Sequence, residues 1–194
     1  MIKKKNLLAE NSNNVFKLQR NVKTLNAIIE SGHIGDFIRY TEALQEKQLA
    51  RIAEDIASRP SVRVVLLAGP SSSGKTSTSK RLAVQLMTCM KLPVALSMDN
   101  WFVDREETPL DEFGEKDFES IHALDLHLFN SDIKKLISGK EIKLPKFNFH
   151  TGKKEYNGET MRLNNDAILI IEGIHALNPM LSEELAEDSK YRIF

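Results

Sequence analysis

One short segment constrains the fold of this chain more than any other, GPSSSGKT at positions 69–76. Its composition is that of a flexible Gly/Ser linker, but its order satisfies the pattern G-x-x-x-x-G-K-[ST]. Residues 62–68 before it are nearly all apolar and partly β-branched, like a strand buried on both faces, and residues 75–90 after it carry apolar side chains at helical spacing. Because linkers are not normally embedded between a buried strand and an amphipathic helix, this context predicts a phosphate-binding loop.

Each residue type in the loop suits a polyphosphate ligand. Glycine lets the backbone turn with positive φ and approach phosphate oxygens, so that successive amides can point at the ligand. The helix that follows adds its positive dipole and free N–H groups. The Lys75 ammonium can reach the β- and γ-phosphates, and the Thr76 hydroxyl is a suitable ligand for Mg²⁺. The residues expected to bind the phosphates are Gly69, Pro70, Ser71, Ser72, Ser73, Gly74, Lys75, Thr76 and Ser77.

The rest of the C-terminal part alternates strand and helix signals. Further strands are predicted at residues 93–99 and 166–173, and a further helix at residues 123–138. Residues 141–163 are predicted to form a pair of strands with a turn at Asn157 and Gly158. This alternation is typical of an α/β fold, here the P-loop NTPase fold with a parallel sheet flanked by helices.

The preceding segment is predicted to be helical. Apolar residues recur at helical spacing between residues 25 and 58, with an interruption at residues 31–35 and a stop at Arg59 and Pro60. His33, inside the interruption, is interpreted as a loop residue rather than a ligand. We therefore divide the chain into an N-terminal helical segment, residues 1–60, and a P-loop domain, residues 61–194.

Composition narrows the class of partner. Lysine plus arginine and aspartate plus glutamate number 27 each, so the chain lacks the strongly basic field typical of nucleic-acid binding. Its only cysteine, Cys89, cannot form an internal disulfide, and no apolar run is long enough for a secretion signal or a membrane span. We expect a cytoplasmic protein with no nucleic-acid or membrane partner.

Two carboxylates are predicted to face the phosphate loop. Asp99 ends the second predicted strand and Glu172 the third, and open α/β sheets bind ligands at the carboxyl ends of their strands. Asp99 can accept the proton of an attacking hydroxyl, a task worth roughly 10² to 10⁴ in rate. Glu172 can hold Mg²⁺ directly or through water, the Walker B role. The DEFG segment at positions 111–114 matches the D-x-x-G of GTPases by letter, but it follows no apolar strand and N-K-x-D is missing, so we interpret it as a loop.

The ordered motifs resemble the uridine kinase and phosphoribulokinase family of P-loop kinases. The segments that carry the resemblance, which spans residues 62–194, are GPSSSGKT, SMDNWF, DFESIHALD, LPKFNFHTGKK and IIEGIHAL. It implies an ATP-dependent kinase in which Asp99 is the base for a ribose 5′-hydroxyl. Phe102 stands where the family usually has tyrosine. Glu119 takes the place of an aspartate that holds the ribose hydroxyls, and Asp125 matches the last aspartate of that motif.

The chain departs from the family where the nucleoside base would bind. Phe147 stands at a tyrosine that contacts the pyrimidine, and Gly152 stands at a histidine five residues later. His150 can substitute for that histidine or be a surface loop residue. The acceptor-binding residues expected from the resemblance are thus Asp99, Phe102, Glu119, Phe147 and His150.

The resemblance also has implications for the two ends of the chain. The family closes an arginine-rich lid over the phosphates, which would lie after Phe194, and the final residues YRIF begin like a strand. We interpret the chain as a fragment that binds nucleotide but turns over poorly alone. Residues 31–57 resemble what precedes the kinase domain in a longer bacterial uridine kinase-like group, whose members carry synthetase-like modules further upstream.

These observations predict a Mg²⁺-dependent kinase that transfers the γ-phosphoryl group of ATP to the 5′-hydroxyl of a pyrimidine nucleoside, with Lys75 and Asp99 as catalytic residues and Thr76 and Glu172 at the metal. Two alternatives stay open. One is a phosphoribulokinase-like enzyme with another small-molecule acceptor, and the other is a nucleotide-binding regulatory module without turnover. The sequence also leaves open whether the protein forms an oligomer.

Overall fold

The computed structural model describes residues 22–194, which divide into two compact units, one that ends at Gln48 and one that spans Leu49–Phe194. The predicted N-terminal segment falls partly outside the described residues, because residues 1–21 are not among them. In chain order the helices are α1 (Val22–Glu30), α2 (Ile34–Ala57), α3 (Lys75–Thr88) and α4 (Leu126–Ile137). The strands are β1 (Val64–Ala68), β2 (Leu92–Ser97), β3 (Ile142–Lys143), β4 (Lys146–Asn148), β5 (Lys153–Glu155), β6 (Thr160–Met161), β7 (Ala167–Gly173) and β8 (Lys190–Ile193).

The first helices agree with the prediction from apolar spacing. Helices α1 and α2 are separated at Ser31 and Gly32, within the predicted interruption, and α2 ends shortly before Pro60. The compact unit that contains the sheet begins at Leu49, inside α2, because Leu49, Ala53 and Ile56 are buried against its core. The division of the chain at residues 60 and 61 stays a prediction.

A four-stranded parallel sheet forms the centre of the second unit. Its strand order is β2-β7-β1-β8, and every neighbouring pair is parallel. Strands β1 and β7 are buried along their whole length, as expected for strands covered on both faces. The predicted P-loop NTPase architecture is confirmed, and the final residues form a strand in this sheet, β8.

The side chains of the central strands alternate between two hydrophobic clusters. On one face Val65 and Ile170 pack with Leu82 and Leu86 of α3. On the other face Leu66, Leu169 and Ile171 pack with residues of α4, namely Phe129, Ile133 and Leu136. Because successive strand residues point to opposite faces, a strand between two helical layers must be apolar throughout, which is the pattern seen in the sequence.

The prediction of a strand pair turning at Asn157 and Gly158 is wrong. Strand β4 pairs with β5, so the chain turns at residues 149–152, and β3 pairs with β6 outside that hairpin. The turn is closed by the N–H of Gly152, which donates to the carbonyl of Asn148 across 2.7 Å. Asn157 does form a local turn, in which its Oδ1 accepts from the N–H of Glu159, but that turn connects β5 to β6 and is not a hairpin loop.

Strand β8 is also tied to the end of α2. The Tyr191 hydroxyl donates to Oδ2 of Asp55 across 2.9 Å, and the guanidinium of Arg59 lies 5.4 Å from the centre of the Tyr191 ring. These contacts fix the C-terminal turns of α2 to the sheet edge within the second unit. Among residues 22–194, no helix combines the length and apolar content needed to cross a bilayer.

Candidate active site

The phosphate loop connects β1 to α3 in a conformation suited to an anion. Ser72 and Gly74 have left-handed backbone angles, with φ of 58° and 85°, and such angles between right-handed residues turn successive N–H groups toward one concavity. No side chain caps the first turn of α3, so its N–H groups are free for a ligand. Residues 71–74 are exposed to solvent. The loop therefore presents backbone donors and a helix N-terminus to the solvent at one place.

Gly69 suits the tight fold of this loop because it has no side chain. A Cβ atom at that position would lie 2.8 Å from Oγ of Ser73 and 3.3 Å from Cγ of Lys75. Its lack of a side chain lets the end of the loop fold back toward its beginning, where the N–H of Ser73 donates to the carbonyl of Pro70 across 3.3 Å.

Lys75 and Thr76 begin α3 and point to different partners. The Lys75 ammonium donates to the carbonyl of Pro70 across 2.7 Å, so it lies over its own loop. The Thr76 hydroxyl donates to Oε1 of Glu172 across 2.8 Å. The structure thus brings a predicted Mg²⁺-binding pair into direct contact, although the two residues are far apart in sequence.

Three strand ends converge beside the loop. Glu172 is level with Leu67 of β1 on one side and with Ser97 of β2 on the other. Asp99 follows β2 in a short 3₁₀ helix, Met98–Trp101, whose N-cap is Ser97. Next to Glu172, Gly173 makes room for Met98, because a Cβ there would lie 2.5 Å from the Met98 sulfur. The close approach lets the start of the 3₁₀ helix pack on the end of β7, with Asp99 beside the phosphate loop.

The carboxyl of Asp99 is reached by solvent yet surrounded by protein groups. Burial raises the pKa of Asp99 above its ordinary value, the negative charge of Glu172 raises it further, and the Lys75 ammonium acts in the opposite direction. The charges of Glu172 and Lys75 thus act on Asp99 in opposite directions. A carboxylate with a raised pKa is a stronger base, the property needed to accept a proton from a hydroxyl.

The predicted acceptor residues Phe102 and Phe147 lie together in an aromatic cluster. The third member, Phe149, was not predicted from the sequence. Ring centroids are 5.5 Å apart for Phe102 and Phe147, 5.1 Å for Phe147 and Phe149, and 6.4 Å for Phe102 and Phe149, all edge-to-face. Phe147 is buried, whereas Phe149 is 61% exposed. The cluster begins three residues after Asp99 and presents an apolar surface without hydroxyl groups.

The place of a side chain at position 152 is occupied by Arg105. A Cβ atom on Gly152 would lie 2.8 Å from Cβ and Nε of Arg105, and the φ of Gly152 is +70°. The N–H of Arg105 donates to the Gly152 carbonyl across 2.7 Å, and its guanidinium donates to the Phe149 carbonyl across 2.6 Å. His150 is exposed in the same turn, and its backbone N–H donates to Oδ1 of Asn148. Arg105 therefore fixes the β4–β5 turn.

Asp125 contacts the same hairpin. It caps α4 by accepting the N–H of Leu128 across 3.0 Å, and its other oxygen accepts from the Lys154 ammonium across 2.6 Å. Burial alone would raise the pKa of Asp125, but the hydrogen bonds from Lys154 and Leu128 hold that pKa below its ordinary value. Asp125 is thus an ionised structural link between α4 and the hairpin.

Glu119 lies in an exposed loop. Its carbonyl oxygen is 2.7 Å from Nε2 of His175, which follows β7, while its side chain is exposed to solvent. The structure therefore links the Glu119 loop to the end of β7 through backbone rather than through the carboxylate. The DEFG segment is a turn, in which Oδ1 of Asp111 accepts two backbone N–H groups, as predicted for a loop.

Sequence reasoning missed Lys154, His175, Arg105 and Phe149. Phe149 and Lys154 lie inside the quoted motif LPKFNFHTGKK, and His175 inside IIEGIHAL, but no spacing rule assigns them partners. Their contacts join residues far apart in the chain, so only the fold identifies them.

The residues beside the loop fit a magnesium ion. Thr76 and Glu172 supply a hydroxyl and a carboxylate oxygen, the hard ligands that Mg²⁺ prefers, and two protein ligands suit an ion that keeps waters and phosphate oxygens in its shell. Within residues 22–194, no group of three or more His, Cys, Asp or Glu side chains could hold a metal. A magnesium ion here would therefore depend on the nucleotide for part of its coordination.

Comparison with known proteins agrees with this arrangement. The family model described as the phosphoribulokinase/uridine kinase family matches residues 64–187. The chain is similar to uridine-cytidine kinase C of Dictyostelium discoideum, with 31% identity over 121 residues, 62% of this chain and 25% of that protein. It is also similar to uridine kinase of Schizosaccharomyces pombe, with 34% identity over 122 residues, 60% of this chain and 25% of that protein. The matched region thus spans about a quarter of each of these two relatives.

Among solved structures, the fold is similar to one from Bacillus stearothermophilus described as a possible uridine kinase. The TM-score is 0.53 at 21% sequence identity, and the match covers 63% of this chain and 66% of the other. This likeness concerns the fold.

Proposed function

The chain belongs to the phosphoribulokinase/uridine kinase family, and from that premise we propose that it is an ATP-dependent kinase for a small hydroxyl acceptor, most specifically the 5′-hydroxyl of a pyrimidine nucleoside. The observation that carries the proposal is the convergence of the phosphate loop, the Thr76–Glu172 pair and Asp99 at neighbouring strand ends. We further propose residues 61–194 as its kinase domain and, from the lone Cys89, the cytoplasm as its location.

In the proposed reaction the loop holds the triphosphate. The backbone N–H groups of Gly69 and of residues 71–77, which include the start of α3, bind the β- and γ-phosphates, and the Lys75 ammonium turns from the Pro70 carbonyl to a phosphate oxygen. Thr76 and Glu172 would hold Mg²⁺, which would neutralise negative charge on the phosphates when bound.

Asp99 serves the acceptor. Its carboxylate accepts the proton of the attacking hydroxyl while a bond forms between the acceptor oxygen and the γ-phosphorus and the bond from that phosphorus to the β,γ-bridging oxygen breaks. The products are the phosphorylated acceptor and ADP. The raised pKa of Asp99 supports this role, because a stronger base takes the proton at neutral pH more readily.

The aromatic cluster also favours a second candidate, a kinase for a different small-molecule acceptor such as a sugar. Phe102, Phe147 and Phe149 offer apolar faces and no hydroxyl, and Arg105 stands over Gly152. A pyrimidine can stack on Phe149, but the three phenylalanine side chains cannot donate a hydrogen bond to the carbonyl groups of the pyrimidine.

The test is ADP release by the full-length protein with Mg²⁺, ATP and a panel of nucleosides and sugars, repeated with Asp99→Asn. Acceptor-dependent ADP with uridine or cytidine that disappears in the variant supports the nucleoside kinase. Turnover with a sugar alone supports the second candidate. Binding of ATP without acceptor-dependent ADP from any compound would favour a regulatory module.

A further inference from the structure

Trp101 ends the 3₁₀ helix that carries Asp99, and its side chain is completely buried. The indole N–H donates to Oδ2 of Asp132 across 3.1 Å, and the ring packs edge-to-face on Phe129 at 5.5 Å between centroids. A buried indole N–H needs an acceptor, and Asp132 on α4 supplies it.

Asp132 is a costly choice of acceptor. It is 4% exposed, and besides Trp101 it contacts Lys135, whose ammonium lies 3.5 Å from Oδ1. Burying a carboxylate carries a desolvation penalty, and replacing buried charged pairs by well-packed apolar residues is often neutral or stabilising in proteins. The hydrogen bond between Trp101 and Asp132 therefore indicates a role other than stabilising the fold.

The backbone around Trp101 is held by the same part of the molecule. The N–H of Asp125 donates to the Trp101 carbonyl across 2.8 Å, and the N–H of Val103 donates to the Ala123 carbonyl across 2.9 Å. Both partners lie just before or at the start of α4. The segment just before α4 thus binds the backbone after Asp99, and Asp132 within α4 binds the indole of Trp101.

We infer that Asp132 is a positioning residue, which holds the indole of Trp101 and thereby fixes the 3₁₀ helix that presents Asp99 to the acceptor. The inference rests on the proposed role of Asp99. Asp132 does not touch substrate in this scheme. It acts through Trp101, whereas Lys75 and Thr76 of the nucleotide site contact Pro70 and Glu172.

Four variants separate positioning from stability. Asp132→Asn keeps an oxygen that can accept the indole N–H. Asp132→Leu leaves that N–H without an acceptor, Trp101→Phe leaves the carboxylate without its donor, and the double variant Trp101→Phe/Asp132→Leu removes both polar groups at once.

We expect Asp132→Leu to lower kcat for the acceptor about 10- to 100-fold, since a displacement on the order of 1 Å of a reacting group has effects of this size. KM for ATP should stay unchanged, and Asp132→Asn should retain most of kcat. The double variant should recover thermal stability but not kcat. Recovery of kcat together with stability in the double variant, or an unchanged kcat in Asp132→Leu, would overturn the inference.

A second measurement needs no turnover. Trp101 is the only tryptophan in the chain, so its emission and its quenching by acrylamide report on this contact alone. Asp132→Leu should increase quenching, and Asp132→Asn should not. Absence of acceptor-dependent ADP release by the full-length unmodified protein would contradict the proposed function, whereas unchanged quenching in Asp132→Leu would overturn the anchoring of Trp101 itself.

Discussion

The hydroxyl of Thr76 donates a hydrogen bond to Oε1 of Glu172 across 2.8 Å and so joins the first turn of α3 to the end of β7. Glu172 is buried at 7% exposure. A buried carboxylate needs a partner, and this one faces the solvent-exposed phosphate loop rather than the core. The Thr76–Glu172 pair is therefore suited to bind a cation that enters the site with the nucleotide.

Replacing Thr76 by valine tests this pair. Thr76→Val keeps the shape but removes the hydroxyl, and we expect a loss of about 10- to 100-fold in Mg²⁺ affinity measured in the presence of ATP. Isothermal titration of Mg²⁺ into the protein with ATP, after residual metal has been removed with EDTA, measures this affinity. Thr76→Ser, which keeps a hydroxyl, is the matched control. Equal Mg²⁺ affinity in the valine and serine variants would exclude Thr76 as a ligand.

Asp99→Asn should abolish the proposed base. We expect kcat to fall by about 10²- to 10⁴-fold, because an amide cannot accept the hydroxyl proton. ATP binding should persist, since the phosphate loop is unchanged. The pH profile of the unmodified protein should show an acidic limb above the ordinary pKa of aspartate, because burial and Glu172 raise the pKa of Asp99. An acidic limb at the same pH in Asp99→Asn would assign it to another group.

The same variant should gain stability at neutral pH. The pKa of Asp99 is higher in the folded protein than in the unfolded chain, so the folded state binds the proton more tightly, and stability falls as pH rises from the ordinary pKa through the raised one. Asn carries no charge and escapes this loss. Thermal melts should therefore give Asp99→Asn a higher Tm than the unmodified protein at pH 7, with the difference shrinking toward acidic pH. A lower Tm at pH 7 would contradict the sign.

The main elements of this site could be predicted because their signals are local. A buried strand, the glycine loop and an amphipathic helix follow one another within residues 62–90, and Asp99 and Glu172 stand at the carboxyl ends of predicted apolar strands. Parallel strands bring such ends to one edge whatever lies between them, so the convergence of the loop with both carboxylates follows from the fold class.

The hairpin and its contacts could not be predicted in the same way. Strands β3 to β6 are two or three residues long, too short for periodicity to set a register, and the Asn-Gly signal favoured the wrong turn. The register is fixed instead by long-range contacts, including the Lys154 N–H, which donates to Oδ1 of Asp104 across 2.8 Å. The contact of Trp101 with Asp132 has the same long-range character.

Lys154→Met should weaken the link between α4 and the hairpin. It removes the ammonium from Asp125 while retaining the length of the side chain, and we expect a loss of about 1 to 2 kcal/mol in unfolding free energy at pH 7. The pKa of Asp125 is lowered in the folded protein, so the stabilisation is present above the ordinary pKa and disappears as pH falls through the lowered one. Urea denaturation at pH 7 and at strongly acidic pH measures both. A pH-independent loss would show that packing, not charge, dominates.

Gly152→Ala should disturb the acceptor side of the site without affecting the nucleotide. Alanine at a φ of +70° costs about 1 to 2 kcal/mol, and its Cβ would lie 2.8 Å from Arg105, the residue that holds the Phe149 carbonyl. The matched control is Gly158→Ala, which has a φ of +89° but open space around its Cβ. Urea denaturation should show that both variants lose unfolding free energy from the unfavourable backbone angle, about 1 to 2 kcal/mol. Only Gly152→Ala should raise KM for the acceptor while leaving KM for ATP unchanged, because only this variant displaces Arg105 and with it the turn that carries Phe149. Equal KM values for the acceptor in the two variants would show that the aromatic cluster does not contribute to acceptor binding.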